Sequence, residues 1–205
     1  MRPDEFLDEG AWLLAGFALP EAEQLVAEVE KISAAAPFRH LTVPTGGTMS
    51  VAMTNCGRVG WFSDRRGYRY TRQDPLSDRD WPAMPDLFLA LARRAGEHAG
   101  YKGFDPDACL INRYEPDAKM GLHQDRDEGD LTQPIVSVSL GVPAVFLWGG
   151  KKRADKTRRF AVEHGDVVVW GGPSRLVFHG VMPLKEAEHP LTGMLRYNLT
   201  FRSAL

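Results

Sequence analysis

Cysteine is nearly absent: the 205 residues hold two, Cys56 and Cys109. Two cysteines cannot build the disulfide framework of a small secreted domain, and neither stands in a spacing that would hold zinc. Long apolar runs are missing as well. The longest, Ala11 to Leu19, has nine residues, well short of the ~20 that span a bilayer as a helix. It reads as a poor secretory signal, because Asp4, Glu5, Asp8 and Glu9 stand where a basic region is expected. No segment repeats and none is of low complexity, and the composition excludes coiled-coil and collagen-like chains and wholesale disorder. The expectation is a single domain over residues 1–205, monomeric, cytoplasmic and free of membrane. A chain of this length buries roughly 70% of its extended surface and needs no covalent staple.

Excess charge of one sign is also lacking overall, since the net is −2. The balance conceals a segregation. Residues 1–30 carry eight acids against Arg2, a local −7, so the remainder carries +5. Arg58 to Arg72 has five arginines against Asp64, and Lys151 to Arg159 has six basic residues against Asp155. Such stretches read either as solvated loops or as a phosphate-binding footprint. In the first, Trp61, Phe62, Tyr68 and Tyr70 are interleaved with the charge. Bases stack on aromatic rings while cations take phosphates, so this mixture suits nucleic acid.

Helical signals are confined to the first half of the chain. Pro20 to Ala36 places Leu25, Val26, Val29 and Ile32 on one face, and Pro85 to His98 does the same with Leu87, Phe88 and Leu91. Thr42 to Trp81 reads as short strands and loops forming a lid or binding surface. After Gly100, short β-branched and aromatic runs recur: Cys109–Tyr114, Ile135–Leu140, Ala144–Trp148, Arg159–Glu163, Val167–Trp170, Leu176–Phe178 and Leu195–Phe201. Turn signals separate them, which argues an antiparallel sandwich or jelly roll. The predicted class is α+β: N-terminal helices and a lid over about 1–105, and an all-β core over about 106–205.

In an extended segment His123 and Asp125 point to the same side and can meet one metal ion. His179, distant in sequence, is the best third ligand. Two imidazoles and one carboxylate make the facial triad of non-haem Fe(II) oxygenases. A surface histidine beside a solvated aspartate is the plainer reading of the triplet alone. His40, His98, His164 and His189 have no comparable partner. In a strand, Arg196, Asn198, Thr200 and Arg202 share one face, opposite Tyr197, Leu199 and Phe201. Facing outward they need no explanation. Facing inward, two arginines would be costly without an anion, and a dicarboxylate suits them, since Arg grips carboxylates bidentately. The dicarboxylate that accompanies a facial-triad iron is 2-oxoglutarate.

Asn112-Arg113-Tyr114, His123 to Asp127, His179 and Arg196 to Arg202 together resemble the AlkB family of nucleic-acid dealkylating dioxygenases. The resemblance extends to Met49–Gly57 and His164–Gly172, and runs from about Pro37 to Arg202. It implies a double-stranded β-helix (jelly roll) with N-terminal helices and a nucleotide-recognition lid. It implies Fe(II) on His123, Asp125 and His179, with 2-oxoglutarate and O₂ as cosubstrates. Arg196 would pair with the distal carboxylate of 2-oxoglutarate, with Asn112, Tyr114, Asn198 and Arg202 completing that site. Trp61 and His123 would enclose a flipped base, Tyr68 and Tyr70 would contact the nucleotide backbone, and Asp127 would face the base's polar edge. Arg153 would meet a phosphate, while Met53 and Ser137 would line the pocket. The implied activity is oxidative demethylation of N-alkylated bases such as 1-methyladenine and 3-methylcytosine in single- or double-stranded DNA, and in RNA. It would release formaldehyde, succinate and CO₂. A 2-oxoglutarate oxygenase acting on a protein or small molecule, and a catalytically silent nucleic-acid binder, are the competing readings.

Overall fold

The computed structural model describes residues 2–205. It is a mixed α/β arrangement, mostly strands with two helices. The chain opens with a hairpin, β1 (Glu5–Asp8) and β2 (Ala11–Leu14), followed by α1 (Ala22–Ala35). Next come β3 (Arg39–Thr42), β4 (Thr48–Gly57), β5 (Gly60–Asp64), β6 (Gly67–Thr71) and α2 (Asp86–His98). The remainder is β7 (Ala108–Tyr114), β8 (Met120–His123), β9 (Ile135–Gly141), β10 (Ala144–Trp148), β11 (Arg158–Val162), β12 (Val167–Trp170), β13 (His179–Val181) and β14 (Arg196–Arg202). One sheet of eight strands runs β1-β2-β12-β9-β14-β7-β4-β3, a second of four runs β11-β10-β13-β8, and β5 with β6 forms a separate hairpin.

Two apolar clusters hold these layers. Leu25, Val26, Val29 and Ile32 of α1, with Phe88 and Leu91 of α2, pack on the outer face of the large sheet with Tyr197, Leu199 and Phe201. Phe88 meets Phe201 edge-on at 5.9 Å. The other cluster takes side chains from both sheets: Leu110, Tyr114, Ile135 and Trp170 from the large one, Phe146, Trp148 and Val181 from the small one. The alternation of β14 is thereby settled. Its apolar residues face the helices, and Arg196, Asn198, Thr200 and Arg202 occupy the other face and are buried there. β14 is a central strand, with β9 on one side and β7 on the other.

Six of the seven expected strand runs lie within one residue of observed strands. Leu176–Phe178 is the exception and is no strand. The Val177 N–H closes a turn on the Ser174 carbonyl at 3.0 Å, so extended pairing begins only at His179. Pro20 falls in a 3-10 turn (Leu19–Glu21) ahead of α1, and Pro85 caps α2 from outside. The segment Thr42 to Trp81 contains a ten-residue strand, β4, lodged between β3 and β7. The acidic N-terminus also forms structure, since β2 pairs with β12 and extends the large sheet.

Candidate metal centre and its cavity

β8 and β13 are antiparallel neighbours in the small sheet, with His123 directly opposite His179. Asp125 follows β8 by two residues, as an i, i+2 relation requires. One potential ligand atom from each of His123, Asp125 and His179 lies within 4.8 Å of the others. Asp125 Oδ1 is 3.6 Å from His123 Nε2, and Asp125 Oδ2 is 3.8 Å from His179 Nε2. Each imidazole is oriented from behind: Nδ1 of His123 is 2.8 Å from the Gly121 carbonyl oxygen, and Nδ1 of His179 is 3.0 Å from that of Val177. A carbonyl only accepts, so Nδ1 carries the proton and Nε2 presents its lone pair to a metal.

Electrostatics agree with a cation site. Burial drives the His179 imidazole down to about 4, with His123 adding to the effect, so it is neutral at physiological pH. Burial alone would raise the Asp125 carboxyl. The Arg202 guanidinium, with His179, His123 and Arg175, outweighs it and holds Asp125 well below the usual carboxylate range. Arg202 donates to Asp125 Oδ2 at 2.9 Å. The donor set is therefore the neutral His179 imidazole, the His123 Nε2 beside it and one ionised carboxylate, which fits Fe(II) with open positions.

The triad opens on a cavity between the sheets that is also lined by Asn112, Tyr114, Ser137 and Asn198. Asn112 donates to Asn198 at 3.2 Å, and Asn198 donates to the Ser137 hydroxyl at 2.8 Å. Arg196 does not line it. Its guanidinium lies 4.8 Å from the centre of the Tyr114 ring and donates to the Ser139 hydroxyl at 2.9 Å. Arg196 is 1% exposed, has no carboxylate partner among the described residues, and leaves Nε and Nη1 without hydrogen bonds. A buried cation without an anion is penalised by several kcal/mol, so a ligand carboxylate fits here. Asn112 Oδ1 is likewise unpartnered.

Above the metal loop stands the β5–β6 hairpin. Trp61 Nε1 donates to Asp127 Oδ2 at 3.0 Å, and the Trp61 and Tyr68 rings stack at 5.5 Å. Tyr70 turns inward instead: its hydroxyl donates to Glu128 Oε1 at 2.6 Å and accepts from Arg202 Nη1 at 3.2 Å. Arg153, from the basic stretch after β10, donates to the Leu122 carbonyl at 2.6 Å and lies over the Phe178 ring. Met53 is buried in the apolar layer and does not line the cavity. Part of the hairpin's positive charge is neutralised, because Asp64 binds Arg69 and Arg66.

A family model for the 2OG-Fe(II) oxygenase superfamily matches residues 10–202. The chain belongs to that superfamily. It is 57% identical over 200 residues to the alpha-ketoglutarate-dependent dioxygenase AlkB of Escherichia coli K12, covering 98% of this chain and 93% of that protein. To the Salmonella typhimurium AlkB it is 54% identical over 210 residues, with 98% and 97% covered. A solved structure of OsALKBH1 superposes with a TM-score of 0.86 at 31% identity, over 98% of this chain and all of that one.

For a 2OG-Fe(II) oxygenase, two residues beside the triad went unread in the sequence. Glu128 looks like one acid in the charged run Asp125 to Asp130, and Arg175 like part of the Gly-Pro turn before it. In the fold both are buried and paired with each other at 3.0 Å. Their partners lie 42 to 58 residues away, so no local pattern betrays them.

Proposed function

We propose that this oxygenase removes N-alkyl groups oxidatively from nucleic-acid bases such as 1-methyladenine and 3-methylcytosine, in DNA and in RNA. The observation that carries the reading is the His-Asp-His triad on a cavity whose wall residue Tyr114 lies against the unpartnered Arg196, together with the Trp61–Tyr68 platform hydrogen-bonded to Asp127, two residues past Asp125. Near full-length similarity to two alpha-ketoglutarate-dependent dioxygenases supports it.

Fe(II), 2-oxoglutarate and O₂ bring oxidative chemistry to the site, in which an N-methyl group leaves as formaldehyde while 2-oxoglutarate becomes succinate and CO₂. The protein's part is to hold and orient. His123, Asp125 and His179 hold the iron. Arg196, assisted by Tyr114, Asn112, Asn198 and Arg202, takes the carboxylates of 2-oxoglutarate. A ring extruded from the stack can lie on Trp61, with Asp127 facing its polar edge. Alkylation at adenine N1 or cytosine N3 makes the ring cationic, which a carboxylate there rewards, and blocks pairing, which lowers the cost of extrusion. Tyr68 and Arg153 are assigned to the nucleotide backbone and Ser137 to the pocket wall, whereas Tyr70, held by Glu128 and Arg202, and Met53, packed in the apolar layer, are not free for the contacts the resemblance gave them. We further propose one domain with a jelly-roll core built mainly from residues 106–205, to which residues 1–105 add the lid, the helices and four strands of the large sheet. The protein acts as a cytoplasmic monomer.

The test uses purified protein, Fe(II), ascorbate, O₂ and an oligonucleotide carrying one 3-methylcytosine, read by mass spectrometry. The strand should lose one methylene mass only when 2-oxoglutarate is present, and not with Asp125→Ala. Succinate produced without any change in the strand would point to a protein or small-molecule substrate.

A further inference from the structure

Arg175 sits four residues before His179, on the chain segment that delivers that ligand. Its guanidinium reaches across to the other arm of the triad. Nη1 donates to the Asp125 backbone carbonyl at 2.5 Å, Nη2 to Glu128 Oε2 at 3.0 Å, and Nε to the Gln133 carbonyl at 2.9 Å. The arginine thus uses its whole fork to tie the His179 segment to the loop that carries Asp125. Its own position is fixed from the far side, since Ser174 donates to the Glu9 carbonyl at 2.7 Å.

Glu128 extends the tie outward. Besides Arg175 it accepts the Tyr70 hydroxyl at 2.6 Å, and Arg202 Nε lies 3.5 Å away. Tyr70 belongs to the lid hairpin, and Arg202 holds the second oxygen of Asp125. A continuous chain of hydrogen bonds therefore runs from lid strand β6 through Glu128 and Arg175 to the Asp125 arm of the triad, and the backbone from Arg175 carries it on to His179. A fully buried Arg–Glu pair is a poor source of net stability, because desolvation offsets most of its attraction.

We propose that Arg175 and Glu128 are positioning residues that set Asp125 relative to His179 and couple the metal ligands, through Tyr70, to the lid. The proposal rests on reading the triad as the metal site. Outer partners of metal ligands alter affinity by about ten- to a hundredfold when removed.

The experiment titrates the apo-protein with Mn(II) by calorimetry and records the visible spectrum of the Co(II)-substituted form, with no turnover involved. Arg175→Met should weaken Mn(II) binding about tenfold or more and shift the Co(II) bands, while Arg175→Lys, which keeps charge without the fork, should recover part of the loss. Tyr70→Phe removes one hydroxyl from the lid strand and should weaken Mn(II) binding about threefold. Lowered melting temperatures with unchanged Mn(II) affinity and unchanged Co(II) bands would overturn the proposal, since that is what a purely structural pair gives. If Arg175→Met does not fold, Glu128→Gln and Tyr70→Phe decide, and wild-type affinity in both overturns it. Failure of the unaltered protein to bind Mn(II) would overturn the metal-site reading and this proposal with it.

Discussion

Arg196 shows how much a single side chain can disclose. It is buried, its Nε and Nη1 are unpartnered, and no carboxylate faces it among the described residues. A buried charge without an anion is destabilising, so Arg196→Met should leave the melting temperature of the protein without 2-oxoglutarate equal or higher. The same substitution should raise the KM for 2-oxoglutarate roughly 10- to 100-fold, the value of one or two charge-assisted hydrogen bonds. Thermal melts with and without 2-oxoglutarate, beside steady-state kinetics, check both halves. This residue was legible in the sequence because β14 alternates, and period-two alternation survives in a linear text. Glu128 and Arg175 were not, because their meaning lies entirely in partners from other strands and loops.

Strands and turns carry a second set of expectations. Gly180, in the middle of β13, lies against β8, and a Cβ at that position would stand 2.7 Å from the Met120 carbonyl oxygen. Backbone cannot yield as a flexible side chain does, so Gly180→Ala should push His179 away from His123. Mn(II) affinity should drop tenfold or more while far-UV circular dichroism stays that of the wild type. At the end of β9, Gly141 N–H donates to His164 Nδ1 at 2.9 Å, and the His164 ring lies 4.2 Å from that of His189. Burial, then His189, lowers the His164 imidazole below its ordinary 6.5. The unfolded chain takes up that proton first, so the contribution is complete above about 6.5 and is lost as pH falls below it. Urea titrations between pH 7 and 5 should show stability falling in the wild type and a flatter profile in His164→Asn. β4 evaded sequence reading for a physical reason. Both its faces are covered from Val51 to Cys56, so no alternation marks it, and its Thr54 and Asn55 look like loop residues until their bonds to Ala36 and Trp61 are seen.

Across the whole molecule the charge segregation becomes a spatial polarity. The acidic hairpin β1–β2 forms one edge of the eight-stranded sheet, whereas the basic β5–β6 hairpin follows β4 at the opposite end. Oligonucleotide affinity should fall steeply with salt, as neutralised phosphates release counterions. Replacing Arg65 and Arg66 by Gln should flatten that slope, and replacing Asp8 and Glu9 by their amides should leave it unchanged. Fluorescence anisotropy over a salt series reads both. No described helix is long and apolar enough to cross a membrane.

β14 is the last strand in chain order, yet it lies in the middle of the large sheet, between β9 and β7. Both neighbours leave the ribosome before it and must wait with open edges, the state most prone to pairing with another molecule. The strand that closes the gap is also the one that brings Arg196, Asn198 and Arg202. Completion of the sheet and arrival of these three side chains are therefore one event, and a chain still lacking β14 also lacks the arginines proposed to take 2-oxoglutarate.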